Sequence, residues 1–135
     1  MDNKACGRIL VVDDEEDLGR ILKFALTAAG HDVLLAVDGA EGLRMAREEA
    51  PDLILLDLML PKIDGYKVCR MLKFDDRYKH IPVVILSART QEVDKQMARE
   101  TGADLFITKP YNLNEILSTI QQMLQTSPTY LKKAS

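Results

Sequence analysis

Short apolar runs alternate with longer segments of helical spacing along this chain. Five runs are predicted strands: RILVV (8–12), DVLLA (32–36), LILLD (53–57), PVVILS (82–87) and DLFIT (104–108). Three of the five are nearly continuous in apolar residues, which is typical of strands that are covered on both faces. These runs therefore predict the strands of a buried sheet.

Helical spacing fills the segments between and after these strands. The predicted helices lie within residues 17–30, 39–50, 64–75, 90–102 and 112–125. In the first segment, one apolar stripe contains Leu18, Ile21, Leu22, Ala25, Leu26 and Ala29, and Gly30 is the predicted C-cap. Asp64 is a predicted N-cap, and Asn112 with Glu115 resembles a capping box.

The order is a strand followed by a helix, five times over. Such alternation predicts an α/β fold, a doubly wound (βα)5 parallel sheet with right-handed crossovers and helices on both faces. We expect a flavodoxin-like three-layer sandwich with strand order 2-1-3-4-5. The connections are short and no internal repeat is present. Residues 1–125 are therefore predicted to form one domain, with 126–135 as a tail or the start of a linker.

The composition argues against several classes of function. Hydrophobic residues make up 47% of the chain, charged residues make up 29%, and the net charge is -3, which gives no footprint for nucleic acid. No apolar run reaches the roughly 20 residues of a membrane span, and the N-terminus lacks a signal-peptide pattern. The two cysteines, Cys6 and Cys69, lie far apart, which favours reduced thiols and a cytoplasmic protein.

Polar residues follow four of the five predicted strands. Asp13 and Asp14 follow the first strand, Asp57 ends the third, Ser87 ends the fourth and Lys109 follows the fifth. Ligands of open α/β sheets bind at the carboxyl ends of the strands, at the point where the strand order reverses. In the order 2-1-3-4-5, the first and third strands are neighbours at that point. The three aspartates are therefore expected to converge, with Ser87 and Lys109 beside them.

This set of residue types fits phosphoryl chemistry. Clustered carboxylates repel one another and need a cation, and an all-oxygen set with few protein ligands suits Mg²⁺, with Mn²⁺ as an alternative ion. Asp57 is a candidate nucleophile, because carboxylates form aspartyl-phosphate intermediates. Lys109 is a candidate partner for an anionic phosphoryl group, and the Ser87 hydroxyl is a candidate donor to it.

Each residue also has an ordinary explanation when it is taken alone. Asp57 could form a turn, Asp13 and Asp14 could cap a helix, and Lys109 could be a surface lysine. Two other functions compete with a phosphorylated protein. A Mg²⁺-dependent phosphatase with a strand-end aspartate needs a second aspartate two residues later, where this chain has Met59. A phosphate-independent interaction module has no need of the acidic set.

Four segments together resemble the receiver domain of bacterial two-component response regulators, of the chemotaxis-regulator type. They are ILVVDDEEDLGRIL, LILLDLMLPKIDGYKVCRMLK, IPVVILSA and GADLFITKPYNLNEIL. The resemblance covers residues 8 to about 125, and the segments are specific in combination although each is weak alone. It implies a signalling switch that catalyses only its own phosphorylation and dephosphorylation, and not an enzyme for an outside metabolite.

The resemblance implies roles for the strand-end residues. Asp57 would accept a phosphoryl group from a phosphohistidine on a sensor histidine kinase or a histidine phosphotransfer protein. Asp14 and Asp57 would ligate Mg²⁺ directly, Met59 would contribute its backbone carbonyl, and Asp13 would act through a metal-bound water. Lys109 would pair with the phosphoryl group.

The resemblance also implies a switch. Ser87 matches the switch hydroxyl and Phe106 the switch aromatic, and the Lys109–Pro110 peptide bond is expected in cis. Phosphorylation adds charge and acceptor oxygens. It is expected to change an output face formed by the 90–102 helix, the fifth strand and the last helix. Without the resemblance, Phe106 is more simply a core residue.

Met59 and Arg89 are expected to border the phosphoryl site and to tune attack by water, although a solvated arginine is an equal alternative for Arg89.

The chain is expected to be either a stand-alone receiver or the receiver of a longer regulator whose output domain is missing. It is expected to be a monomer or a phosphorylation-dependent dimer, with no direct contact to nucleic acid or membrane.

Overall fold

Five parallel strands form the centre of the structure, a computed structural model that describes residues 6–87, 96 and 100–126. The strands are β1 (Arg8–Val12), β2 (Asp32–Ala36), β3 (Leu53–Asp57), β4 (Val83–Ser87) and β5 (Leu105–Thr108). They pair in the order β2-β1-β3-β4-β5, and every pairing is parallel. The predicted fold class and strand order are therefore confirmed.

Two strands begin one residue later than predicted. Pro82 has no N–H to place in a ladder, although its carbonyl still accepts from Ile54 N at 3.0 Å. Asp104 turns its carboxylate back onto the start of β4, where Oδ2 accepts from Val83 N at 2.8 Å. Side-chain bonds of this kind end a strand locally, and apolar runs alone do not reveal them.

Four helices are described: α1 (Glu16–Ala28), α2 (Gly39–Glu49), α3 (Gly65–Lys73) and α4 (Leu113–Thr126). The predicted N-cap of α3 is confirmed, because the Asp64 carboxylate accepts from Lys67 N at 3.0 Å. Asn112 precedes α4 and its side chain accepts from Asn114 N at 2.7 Å. The predicted helix of 90–102 lies almost entirely outside the described residues.

The apolar stripe of α1 is narrower than predicted. Leu22 and Leu26 are fully buried, but Ile21 is 51% exposed. The prediction that Ile21 belongs to the buried stripe is therefore wrong. Ile21 stands about 100° around the helix from Leu22, beyond the sector that the sheet covers. Gly30, with φ of 100°, follows α1 in the left-handed region, as expected after a helix end.

Two apolar layers cover the sheet. On one side, Ile9, Val11 and Leu55 pack with residues of α1 and α4. On the other side, alternate strand residues such as Leu10 and Ile54 pack with residues of α2 and α3. Because both faces are buried, the strand ends are held rigidly and the side chains that follow them are fixed at one edge.

Gly39 fixes the loop that follows Asp57, and its substitution gives a first prediction. A Cβ at Gly39 would collide with the Ile63 backbone carbonyl, whereas a Cβ at Gly19 in α1 would meet only Leu35 Cδ2 at 3.8 Å. We expect Gly39→Ala to lower the unfolding free energy by about 2 kcal/mol or more, because backbone must move. The matched variant Gly19→Ala should raise it by about 0.5–1 kcal/mol. Urea denaturation measures both, and equal stabilities would contradict the packing described here.

His31 provides a second prediction, at the opposite edge of the sheet. Its side chain is buried, Nδ1 accepts from Gly7 N at 3.2 Å, and burial lowers its pKa below 6.5. A lowered folded-state pKa contributes stability above pH 6.5 that is lost as the pH falls below that value. We therefore expect the stability advantage of wild type over His31→Asn to shrink between pH 7.5 and pH 5 in urea titrations. A pH-independent difference would show that His31 is not held neutral by the fold.

Candidate functional site

The carboxyl edge of the sheet gathers the predicted site residues. Asp57 is the last residue of β3 and Ser87 the last of β4, while Asp13 directly follows β1 and Lys109 directly follows β5. β1 lies between β2 and β3 in the sheet, so the crossovers from β1 and from β3 leave in opposite directions along it. The strand order therefore opens a crevice between Asp13 and Asp57.

Three carboxylates meet in this crevice. Asp13, Asp14 and Asp57 each offer an oxygen, and these oxygens all lie within 4.8 Å of one another. Asp13 and Asp57 are only 4% and 5% exposed, whereas Asp14 is exposed. The cluster is therefore anchored in the fold on two sides and open to solvent on the third.

In addition to the neighbouring carboxylates, two described groups contact Asp57. Lys109 Nζ lies 3.3 Å from Asp57 Oδ2, and Met59 N donates to Asp57 Oδ1 at 3.3 Å. Lys109 is itself placed by its backbone, whose N–H donates to the Ser87 carbonyl at 2.7 Å. One ammonium group thus faces a cluster of three carboxylates, which leaves excess negative charge in the crevice.

Asp13 shows the cost of burying a carboxylate in this crevice. Its Oδ1 accepts from Glu15 N at 2.9 Å, but its Oδ2 is buried without a hydrogen-bond partner among the described residues. Burial raises the pKa of Asp13 to about 6, and the charge of Asp57 adds to this rise. Buried carboxylate oxygens without a partner are costly, so the geometry favours a bound cation.

The donor set fits Mg²⁺. The described ligand candidates are the oxygens of the three carboxylates, and the exposed side of the cluster, at Asp14, is open to coordinated water. A contribution from the Met59 backbone carbonyl stays a prediction. Mg²⁺ binds oxygen ligands, demands octahedral geometry and keeps several of its waters. The residues present therefore match this ion better than zinc, which prefers nitrogen and sulfur ligands.

The two predicted switch residues lie on the strands at the same edge of the sheet or just below it. Ser87 is 2% exposed and stands in register with Thr108 of β5. Phe106 is partly buried, in register with Ile85, and packs against the core layer of α2 and α3. A second position for either side chain remains a prediction.

Of the remaining predicted residues, Met59 borders the cluster and is 64% exposed. The Lys109–Pro110 peptide bond is cis, as the resemblance implies. Arg89 lies outside the described residues, so its place beside the site stays a prediction.

Tyr111 is a neighbour of the site that the sequence reasoning missed. Its hydroxyl is buried without a hydrogen-bond partner among the described residues. Burial, followed by the charges of Asp13 and Asp57, raises the pKa of Tyr111 to about 12. One feature of the sequence could have indicated that Tyr111 lies near the site. It follows Lys109 by two residues, where the chain still runs along the carboxyl edge of the sheet.

Comparisons with known proteins agree with this arrangement. The family model of the response regulator receiver domain matches residues 9–121. The DNA-binding dual master transcriptional regulator RpaA of Synechocystis is 43% identical over 118 residues, which are 87% of this chain and 49% of that protein. The alkaline phosphatase synthesis transcriptional regulatory protein PhoP of Bacillus subtilis is 42% identical over 120 residues, 89% of this chain and 49% of that protein. The chain thus spans about half the length of these curated relatives.

Solved structures give the same result. The signal receiver domain of a signal transduction histidine kinase from Syntrophus aciditrophicus is 34% identical with a TM-score of 0.84, covering 90% of this chain and 92% of that one. The chemotaxis protein CheY4 of Vibrio cholerae is 30% identical with a TM-score of 0.81, covering 87% and 98%. No helix among the described residues is long and apolar enough to cross a membrane. The chain belongs to the response regulator receiver domain family of two-component signalling.

Proposed function

We propose that this chain is a phosphorylation-activated switch in which Asp57 accepts a phosphoryl group from the phosphohistidine of a sensor histidine kinase or a histidine phosphotransfer protein. One observation carries the proposal. The Asp57 carboxylate is held at the crevice within 4.8 Å of two further carboxylates and 3.3 Å from Lys109 Nζ. This is an arrangement for binding a cation and a phosphoryl anion side by side.

The cation of the proposal is Mg²⁺. Asp14, Asp57 and the backbone carbonyl of Met59 would hold it directly, and Asp13 would hold it through a water. When bound, the ion neutralises the carboxylates and the charge that develops on the phosphoryl oxygens. Asp14 is the exposed member of the cluster, which leaves an open path for the ion and its waters.

The proposed transfer makes one bond and breaks one. A carboxylate oxygen of Asp57 attacks phosphorus, the phosphorus–nitrogen bond of the phosphohistidine breaks, and the donor imidazole leaves with its electron pair. Lys109 pairs with the phosphoryl oxygens and Ser87 donates its hydroxyl to one of them. Dephosphorylation follows when water attacks the same phosphorus and releases phosphate, which restores the Asp57 carboxylate.

The proposed readout is a shift between two pre-existing states. Ser87 is the last residue of β4. Its movement toward the phosphoryl group would therefore displace the segment that follows β4 and let the Phe106 side chain turn inward. The output face, formed by residues 90–102, β5 and α4, would then favour one downstream target or a second receiver. The ligand shifts this equilibrium only by its different affinity for the two states.

The proposal places residues 1–125 in the receiver and 126–135 in a tail or the start of a linker, in a cytoplasmic protein. Both curated relatives reported above carry names of transcriptional regulators. An output domain in a longer chain is therefore one form of the proposal, and a separate downstream protein is the other. Direct contact with nucleic acid or membrane has no part in the receiver's own action.

A small donor with a phosphorus–nitrogen bond tests the proposal. With phosphoramidate and Mg²⁺, the protein should gain one phosphoryl group, and hydrolysis of p-nitrophenyl phosphate should stay at the background rate. Rapid turnover of p-nitrophenyl phosphate would instead favour a phosphatase. Absence of any adduct in a folded, Mg²⁺-bound protein would favour a phosphate-independent module.

The timing residues have a separate test. If Met59 and Arg89 tune attack by water, Met59→Ala and Arg89→Ala should change the half-life of the phosphoryl group without changing the amount formed at saturation. An unchanged half-life in either variant would remove that residue from the proposal.

A further inference from the structure

Helix α3 has two stripes of side chains, one buried and one exposed. The buried stripe has the spacing i, i+3, i+4, i+7 and consists of Gly65, Val68, Cys69 and Leu72. The same spacing, moved on by two positions, gives an exposed stripe of Lys67, Arg70, Met71 and the C-cap Phe74. The exposed side of a surface helix is ordinarily polar. In this second set, called the α3 stripe below, two of the side chains are instead large and apolar.

The apolar members of the α3 stripe are open to solvent. Met71 is 43% exposed and Phe74 is 68% exposed. Together with Lys67 and Arg70, they line one surface cavity of about 430 Å³. Single exposed apolar residues need no explanation, but adjacent ones that line a concavity bordered by charges are typical of interaction sites. The cavity can therefore receive an apolar side chain from outside.

The cations of the α3 stripe are not neutralised within the described part of the chain. The ion pairs found there include neither Lys67 nor Arg70. The nearby carboxylate of Asp75 is bonded to Arg77 instead. Lys67 also stands in the first turn of α3, which has no acidic residue and where the helix dipole disfavours a cation. Local choices that do not stabilise the fold are expected at functional surfaces.

We infer that the α3 stripe is a docking surface for an acidic peptide segment of another protein, in which carboxylates flank a large apolar side chain. The apolar side chain would enter the cavity against Met71 and Phe74. The carboxylates would pair with Lys67 and Arg70, and the guanidinium group of an arginine can bind a carboxylate through two hydrogen bonds. Complementary charges of this kind determine the choice and orientation of a partner.

Other occupants fit the α3 stripe less well. The chain's own last residues, 126–135, carry two lysines and no acidic residue, so they would be repelled. In a twofold dimer the same patch faces itself, which would bring the cations of two α3 stripes together. Anionic membranes are ordinarily bound by clusters of about four to eight cations, whereas the α3 stripe has only Lys67 and Arg70. Charge complementarity therefore favours an acidic segment.

This docking surface goes beyond the proposed phosphoryl transfer. Buried residues of α3 belong to the core layer that it shares with α2, whereas the proposed output face consists of residues 90–102, β5 and α4. We therefore expect an acidic peptide to bind the unphosphorylated protein, with the same Kd for wild type and Asp57→Asn. Failure of the docking experiments below would leave the phosphoryl transfer to its own tests.

Selection from a displayed library of random short peptides tests the inference on the full chain. Wild type is the target, and peptides that also bind Phe74→Ser are removed beforehand. We expect the selected peptides to carry several Asp or Glu residues beside a Leu, Ile, Met or Phe. Enrichment of basic or purely apolar peptides, or no enrichment, would overturn the inference.

An exchange of charges between protein and peptide tests the role of the cations. In fluorescence anisotropy with a selected peptide, the double variant Lys67→Glu with Arg70→Glu should raise the Kd at least about tenfold. Lysines in place of the peptide's acids should restore binding to the double variant and abolish binding to wild type. Lys23→Glu in α1 is the control, because Lys23 is also exposed and outside the described ion pairs. Binding that is insensitive to both exchanges would overturn the inference.

A pair of exposed phenylalanines tests the role of the cavity. Phe74→Ser should raise the Kd about tenfold or more, because aromatic anchors carry much of the binding energy of an interface. Phe24→Ser in α1, where Phe24 is 79% exposed, should keep the wild-type Kd. Equal weakening by both variants would overturn the inference, as would binding of wild type to phosphatidylserine vesicles in place of the acidic peptides. If Phe74→Ser fails to fold, the exchange of charges decides alone.

Discussion

Asp57→Asn is expected to abolish phosphorylation completely while leaving the fold intact. The amide has nearly the same shape as the carboxylate and can still accept from Met59 N, which lies 3.3 Å from Asp57 Oδ1. It lacks the negative charge that makes the carboxylate a nucleophile. Removal of one of three clustered carboxylates also relieves repulsion, so the loss of activity cannot be attributed to unfolding.

The loop after β3 offers a matched control for this variant. Asp64 lies seven residues further on, outside the cluster, and its carboxylate caps α3 by accepting from Lys67 N at 3.0 Å. Asparagine is also a good N-cap, so Asp64→Asn should retain both fold and phosphorylation. Intact mass after incubation with phosphoramidate and Mg²⁺ compares the two variants. A phosphoryl adduct on Asp57→Asn at the wild-type rate would place the acceptor elsewhere.

Asp13→Asn is expected to stabilise the protein in the absence of divalent cations. The folded-state pKa of Asp13 is raised from 3.8 to about 6. A raised pKa contributes stability below pH 3.8 that is lost as the pH rises through about 6, so the ionised group opposes folding at pH 7.5. The shift corresponds to at most about 3 kcal/mol, and the asparagine can still accept from Glu15 N. We expect a gain of about 1–3 kcal/mol at pH 7.5 in chelator.

Urea denaturation at two pH values and two Mg²⁺ concentrations measures this effect. The gain should shrink toward pH 4.5, and it should reverse at high Mg²⁺, because wild type binds the ion more tightly and is stabilised by it. Asp17→Asn is the control, since Asp17 in α1 has a side chain that is 98% exposed and should change stability by less than about 0.5 kcal/mol. If Asp13→Asn were less stable than wild type in chelator at pH 7.5, the described cost of burying the ionised Asp13 beside Asp57 would be wrong.

The strands were predictable because their hydrophobic pattern is local. The first three apolar runs match β1, β2 and β3 residue for residue, since strands covered on both faces have apolar residues in their interiors and polar residues only at their ends. The site followed from the same pattern. The carboxyl ends of parallel strands share one edge, so Asp57 and Lys109 meet although they are 52 positions apart in the sequence, from 57 to 109.

The parts that could not be predicted depend on contacts between distant segments. Ile21 has the spacing of a buried residue, but the sheet covers only a limited sector of α1 and leaves it exposed. Asp104 has the spacing of a strand residue, yet its carboxylate also accepts from Lys73 Nζ of α3 at 2.8 Å. The environment of the Tyr111 hydroxyl arises only when the chain after Pro110 passes beside α1. Sequence spacing carries none of this information.

The most direct test of the account is the intact mass of wild-type protein after exposure to acetyl phosphate, with Mg²⁺ or with chelator, followed by fragmentation to locate the adduct. The account predicts a single phosphoryl group on Asp57 that forms with Mg²⁺ and fails to form in chelator. A folded protein that binds Mg²⁺ but gains no phosphoryl group, or gains one at another residue, would contradict it.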